Sequence, residues 1–365
     1  MGIFAEMRTF IEAGGPHLAH TCRHSNKAFT VASHRLQRSR TQNHRVIIRC
    51  EAENTKRHLG PTELKVSKIG LGTLQWGDTQ KGYNKTFTED SLSQVFKAAV
   101  AGGINFFDTA EVYGYQSMKE GSASEQIVGR LAKESGQPCV LGTKFFTVPW
   151  TNVLIGGGLR LGRQSIVKAL RASLNRLGLQ SIQLYQVHFP FPAFNQEVLS
   201  EGFAEAVDLG LVEAVGVCNY KTAQLQQFHS LMDVRGIPVA SNQVKYNIFE
   251  RGVEKDGTLQ ACRDMGITLV AHSPLQQGLL TGKALESGRA QGDEQVILKL
   301  LQFIGAVSGG KSVTQVALGY LTAKGAIPIP GAKNLHQVKE HIGALDLELD
   351  ENEVAVIDER LDAVK

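Results

Sequence analysis

Cysteine is scarce and scattered: Cys22, Cys50, Cys139, Cys218 and Cys262 form no CxxC pair and no Cys/His set with metal-ligand spacing. Neither a disulfide framework nor a zinc site is expected from that pattern. Long apolar runs are missing too; none reaches 18 residues, so a membrane-spanning helix is not expected. The stretch "GLGTLQW" has Gly70 and Gly72 but lacks the third glycine of a GxGxxG turn. No acidic residue follows a second strand in the right context either, so a dinucleotide held in the manner of a doubly wound sheet is disfavoured.

Excess positive charge is absent from most of the chain. Residues 1–50 hold eight Lys/Arg against Glu6 and Glu12, a net of +6, leaving 31 basic and 33 acidic residues, or −2, for the remainder. A body of that balance gives no electrostatic reason to expect nucleic acid. The leader is rich in Arg, His and Ser and has no sustained apolar periodicity. It reads as an organellar transit peptide over residues 1–50, with "VIIRCEA" resembling a plastid processing site near Cys50. The expected destination is the chloroplast stroma, with the mitochondrion as the alternative and a disordered basic tail as the plainer reading. Glu6 stands where a myristoylation signal needs Ser or Thr, so a lipid anchor is not supported.

What is present is an alternation. Of 365 residues 42% are hydrophobic and 20% charged, an ordinary balance for a folded protein, and the length suits two ordinary domains or one large α/β barrel. Strand patterns occur at "KIGLGT", "INFFDTA", "CVLGTKF", "IQLYQVHF", "AVGVCN", "VASNQVKYN", "TLVAHSPL" and "AIPIPGA". Helical patterns such as "SLSQVFKAAVAGG", "SIVKALRASLNRLG" and "EVLSEGFAEAVDLG" lie between them, several ending at glycine. Eight strands with intervening helices predict an α/β fold, a single (β/α)8 TIM barrel over residues 51–365, with a doubly wound sheet as the runner-up. "IGGGLRLG" at 155–162 is the longest candidate mobile loop.

Barrel enzymes carry their chemistry at the carboxyl ends of the strands. Strand two here ends in Asp108 with Tyr113 behind it, strand three carries Lys144 and strand four His188. Singly, such a Lys reads as a solvated edge residue, such a His as a satisfied core polar group and the Asp as a helix cap. Together they compose a general acid for a carbonyl being reduced: Lys⁺ favours tyrosinate and lowers the phenol pKa, Asp108 holds the Lys, and His188 orients the carbonyl or shares the proton. No activated serine or cysteine accompanies them, which disfavours acyl transfer.

In order, "DTAEVYG", "GTKF", "QVHF", "AVGVCNY", "NQVKYN", "SPLQQGLLTGK" and "IPIPGAK" resemble the aldo-keto reductase superfamily over roughly residues 60–350. The likeness is nearer to its plastid pyridoxal-reductase-like and potassium-channel β-subunit-like branches than to the aldose reductase branch. It implies an NADPH-dependent barrel passing hydride to an aldehyde or ketone, with Tyr113 as the acid, Lys144 and Asp108 tuning it and His188 orienting substrate. Asn219 and Gln243 would meet the nicotinamide carboxamide, and Ser273, Leu275, Leu280 and Lys283 match the loop that covers the pyrophosphate. Gly331, Lys333, Asn334, Gln337 and Glu340 fall where relatives hold the 2′-phosphate and adenine. Three positions depart from the family: Cys218 for Ser, His272 for a stacking aromatic, and His341 for Asn.

Trp76, Phe145, Trp150, Phe189 and Phe191 are candidates to line an apolar substrate pocket. The expected partner is a small carbonyl compound, with neither nucleic acid nor membrane, and the oligomeric state is not readable. Two rivals stand beside the reductase: an NADPH-binding redox sensor or regulator with vestigial turnover, and a barrel hydrolase or isomerase without nicotinamide.

Overall fold

The computed structural model describes residues 56–149, 155 and 159–363, so the leader and Trp150 lie outside the described residues. Ten strands occur among them: β1 Lys56–His58, β2 Lys65–Ser67, β3 Leu71–Gly72, β4 Phe106–Asp108, β5 Val140–Phe145, β6 Ile182–Val187, β7 Val212–Cys218, β8 Val239–Lys245, β9 Thr268–His272 and β10 Ile327–Pro328. The last eight, β3 to β10, form one parallel sheet in sequence order. Its two edges meet: Gly70 N and Gly72 N donate to Pro328 O and Pro330 O at 3.0 and 3.1 Å, and Gly72 bridges Gly331. The sheet is thus closed into the expected (β/α)8 barrel.

Helices cover its outside. The first five are α1 Glu89–Ala101, α2 Ser124–Ser135, α3 Gly162–Leu177, α4 Gln196–Asp208 and α5 Thr222–Asp233. They are followed by α6 Gly252–Lys255, α7 Thr258–Asp264, α8 Gly282–Glu286, α9 Gly292–Val307, α10 Val313–Ala323, α11 Leu335–Ile342 and α12 Glu351–Ala363. In α1 the residues Leu92, Val95, Phe96 and Ala99 recur at helical spacing and are the buried ones. Asn195 caps α4 by accepting from Val198 N at 2.9 Å, and Ser312 with Gln315 makes a reciprocal capping box on α10.

Side chains alternate along each strand, and the inward set changes character with height. Phe106, Val140, Leu184, Ala214, Val270 and Ile327 form an apolar layer near the strand starts. Two and four residues later the same faces carry Asp108, Lys144, Gln186, His188, Cys218 and His272. The antiparallel hairpin β1–β2 adds Val66 of β2 and Leu59, just after β1, to the apolar layer. This hairpin is not evident in the sequence, because "KRHLGPTELKVS" hides two inward apolar residues among charges. Its turn comes so close to β8 that a Cβ on Gly60 (φ +59°) would stand 2.3 Å from Ala240 O. Gly60→Ala is therefore expected to destabilise the fold by about 1–3 kcal/mol, from the left-handed backbone and the forced shift, read as a lowered urea midpoint.

Candidate functional site

The polar layer at the barrel mouth is built around one buried charge pair. Lys144 Nζ donates to Asp108 Oδ2 at 2.5 Å and to Thr109 O at 2.7 Å, and both side chains are buried. Asp108 Oδ1 accepts from Gln243 Nε2 at 2.7 Å and Gln186 Nε2 at 3.1 Å. Each charge is therefore hydrogen-bonded beyond its partner, which a buried ion pair needs to offset its desolvation. Burial alone would lower the Lys144 pKa, but the charges of Asp108 and Tyr113 outweigh it and raise it. The backbone is pinned as well: Thr73 Oγ1 donates to Asp108 O, while the hydroxyls of Thr73 and Thr109 meet that of Ser124 at 2.7 and 2.8 Å.

Tyr113 follows on a tight turn, its N–H donating to Ala110 O at 3.0 Å and its carbonyl accepting from Ser124 N at 3.1 Å. Gly114 (φ +66°) lets this turn lie against Trp76, whose carbonyl oxygen would be 2.5 Å from an added Cβ. The Tyr113 hydroxyl lies 3.5 Å from Lys144 Nζ, and its ring stands edge-on to that of His188 at 5.7 Å. The net effect on the phenol differs from the sequence expectation. Burial pushes it up to about 12, outweighing the downward pull of Lys144. His188 is held well below the usual histidine value by burial and by the charge of Lys144, and its Nδ1 is buried with no hydrogen-bond partner.

Beside them, Asn219 (φ +60°) gives its amide nitrogen to His188 O and its oxygen to the ring of His272, both at 3.2 Å. His272 also meets Ser273 Oγ at 3.1 Å, and burial with the charge of Lys144 lowers it to about 4, so it is neutral at ordinary pH. Cys218 is buried, its Sγ 3.7 Å from Gln186 Oε1, and burial pushes its thiol up. Gln243, 3% exposed, spends its amide nitrogen on Asp108. After β9 the backbone is left-handed at Ser273 (φ +53°), Gln276 (+45°) and Gln277 (+54°), the concentration of strain that accompanies ligand-holding loops. Leu275 is half-buried and Lys283 exposed on α8. Across the mouth, Thr86, Phe87, Ser91, Lys333, Asn334 and Gln337 line a recess of about 260 Å³, with Lys333 Nζ 5.6 Å from the Phe87 ring centre. Gly331 is exposed at the edge of this region.

Several expected residues are buried or engaged by other partners. Trp76 is fully buried, its Nε1 donating to Ala332 O at 3.0 Å, and Phe145 is fully buried edge-on to Phe194. Both are buried in the packed interior. Phe189 remains half-buried at the rim, edge-on to Phe146 at 4.9 Å and near Phe191 at 6.5 Å. Leu280 is fully buried with its N–H already bonded to Leu275 O. Glu340 accepts from Ser312 Oγ at 2.5 Å, and His341 is buried and lowered to about 3 by burial, so neither lines the recess. Residues that sequence reasoning missed are Gln186, the second amide on Asp108; Glu111, buried behind Tyr113; Phe146, edge-on to His188 at 5.3 Å; and the trio Thr86, Phe87 and Ser91. Glu111, inside "DTAEVYG", and Gln186, the first residue of "QVHF", lay within motifs already singled out. Among the described residues no cluster could hold a metal ion, and no helix is long and apolar enough to cross a membrane.

Two stability measurements follow from this electrostatics. Lys144→Met leaves Asp108 buried without its cation and is expected to cost about 3–5 kcal/mol in urea unfolding, much of it recovered when Asp108→Asn is added. The unfolded chain protonates its histidines near pH ~6.5, whereas folded His272 and His341 wait until about 4 and about 3. The unfolded state thus binds more protons below pH ~6.5, and stability should fall as pH drops from there toward 4, less steeply in His341→Gln.

The aldo/keto reductase family pattern matches residues 68–362. Chloroplastic pyridoxal reductase of Arabidopsis thaliana is 34% identical over 314 residues, spanning 81% of this chain and 82% of that one. Among solved structures, a thermostable aldo-keto reductase bound to the inhibitor epalrestat superposes with a TM-score of 0.66 at 28% identity, covering 84% of this chain and 99% of its own. The glycerol dehydrogenase of Gluconobacter oxydans gives 0.71 at 24% identity, covering 85% and 96%, a likeness of fold. With its tyrosine, lysine, aspartate and histidine gathered at the mouth of the barrel, the chain belongs to the aldo-keto reductase family of oxidoreductases.

Proposed function

We propose that the protein reduces an aldehyde or ketone to an alcohol using NADPH, with Tyr113 as the general acid. One observation carries this reading: the Tyr113 hydroxyl, the Lys144 ammonium and the Asp108 carboxylate follow one another at the open end of the barrel, with a neutral His188 beside the phenol. A phenol pushed up to about 12 holds its proton at neutral pH and is in the right state to give it. As the proton leaves, Lys144 stabilises the tyrosinate, and Asp108 keeps Lys144 charged and in place. The His188 imidazole, kept neutral, serves as a hydrogen-bonding partner for the substrate oxygen.

The residues present fit the cofactor. The side-chain amides of Asn219 and Gln243 suit a carboxamide, His272 offers a flat ring in place of the usual aromatic, and the strained turn from Ser273 to Gln277 with Leu275 and Lys283 suits a pyrophosphate. Lys333, with Asn334 and Gln337, supplies a cation and amides to the recess, which favours a 2′-phosphate and hence NADPH over NADH. When bound, NADPH supplies the hydride. The likeness to a chloroplastic relative supports residues 1–50 as a plastid transit peptide and pyridoxal as the first carbonyl to offer.

The test is loss of NADPH absorbance by residues 51–365 with pyridoxal, methylglyoxal and aromatic aldehydes. Tyr113→Phe is expected to lower turnover by about 10²–10⁴-fold while NADPH binding, read by fluorescence, is retained. Lys333→Met should weaken NADPH and leave NADH nearly unchanged. Tight NADPH binding with no turnover of any carbonyl would replace this reading with the redox-sensing one.

A further inference from the structure

The Tyr113 hydroxyl is held by a single long hydrogen bond, 3.5 Å to Lys144 Nζ, while its ring lies 4.9 Å from the same Nζ and meets His188 edge-on. Its place is therefore set by the turn that carries it, and that turn is anchored on one side by Glu111. This residue lies three positions after Asp108 and two before Tyr113 and is 1% exposed. Both oxygens are used. Oε1 accepts from Phe146 N at 2.6 Å and Arg160 Nη1 at 2.5 Å, and Oε2 accepts from Arg160 Nη2 at 2.7 Å.

Arg160, 5% exposed and just before α3, completes the link. Its Nη1 also donates to Phe146 O at 3.2 Å, its N–H donates to Pro149 O at 3.2 Å, and its guanidinium lies 5.3 Å from the Phe145 ring centre. Phe146 is two residues beyond Lys144, and its ring stands against His188 at 5.3 Å. One forked ion pair thus ties the turn bearing the phenol to the end of the strand bearing the lysine and to the ring that abuts the histidine. A bidentate arginine fixes direction as well as distance, which a lysine cannot do.

We propose that Glu111 and Arg160 are a positioning pair for the reduction: they hold Tyr113 at its working distance from Lys144 and His188 without touching substrate. This rests on the reductase reading above. A purely structural pair would act differently, because a buried ion pair is often replaceable by uncharged residues at no loss of stability. The groups facing the Tyr113 hydroxyl are Lys144, Asp108 and Cys218, with His188 at the ring edge, and none is altered by changing the pair.

The deciding variant is Glu111→Gln combined with Arg160→Met, which leaves no unpaired charge and keeps an acceptor for Phe146 N. With folding checked by urea, kcat is expected to fall by at least about tenfold, in line with the cost of a displaced catalytic group, while NADPH affinity stays within about twofold. The Tyr113 phenol, followed by NMR of carbon-labelled tyrosine and assigned with Tyr113→Phe, should titrate away from the wild-type value, because a displaced phenol loses both the burial that raises it and the Lys144 charge that lowers it. A folded double variant with wild-type kcat and an unmoved phenol titration overturns the proposal. Should the double variant not fold, Glu111→Asp, which keeps the charge and withdraws it by one methylene, is judged by the same two readouts. If the wild-type protein reduces no carbonyl, the reductase reading fails by itself, and the phenol titration alone decides whether the pair places Tyr113.

Discussion

The ion pair of Lys144 with Asp108 is the constraint from which the upper half of the barrel follows. A charge buried in a protein interior is tolerated only when its partner and its remaining hydrogen-bonding capacity are supplied together. That requirement explains the otherwise odd polar content of the inward faces: Gln186 and Gln243 are there for Asp108, Thr109 O is there for Lys144, and the hydroxyls of Thr73, Thr109 and Ser124 fix the backbone at the strand exit. It also explains the apolar lower layer, which together with the β1–β2 floor keeps water from entering beneath the pair.

The same pair governs its neighbours. His188 and His272 both feel the Lys144 charge and both remain neutral, so the mouth presents hydrogen-bonding rings without added positive charge. Asn219 joins the two by bonding the His188 carbonyl and the His272 ring, so a histidine where relatives commonly place a larger aromatic is integrated into the site by hydrogen bonds. Cys218 is buried against Gln186, and burial keeps its thiol protonated.

Much of this was legible in the sequence because strand periodicity and motif order carry it. Eight apolar runs, three of them leading to Asp108, Lys144 and His188 at or just past the strand exit, were enough to read the barrel and to bring these residues and Tyr113 together. What escaped was set by direction and burial. An aromatic near a strand end gives no sign of its burial, so the sequence does not show that Trp76 and Phe145 are fully buried. A strand glutamine such as Gln186 looks like any other polar residue until its partner is known. The phenol of Tyr113 sits beside Lys144 as anticipated, yet its net shift is upward, because the extent of desolvation is a property of the folded surroundings. The floor hairpin stayed hidden because its two inward residues, Leu59 and Val66, are embedded in charged sequence.

The barrel closes where its strands are shortest. β3 and β10 have two residues each, and the bonds joining these edges run through Gly70, Gly72, Pro328, Pro330 and Gly331, with the Trp76 indole stapled across to Ala332. A ring of unequal links gives first at its thinnest one. The recess that holds Lys333 draws its walls from both sides of this join, Thr86, Phe87 and Ser91 from one and Asn334 and Gln337 from the other. Whatever fills the recess therefore clasps the ring shut, and its occupancy is coupled to the cohesion of the whole barrel.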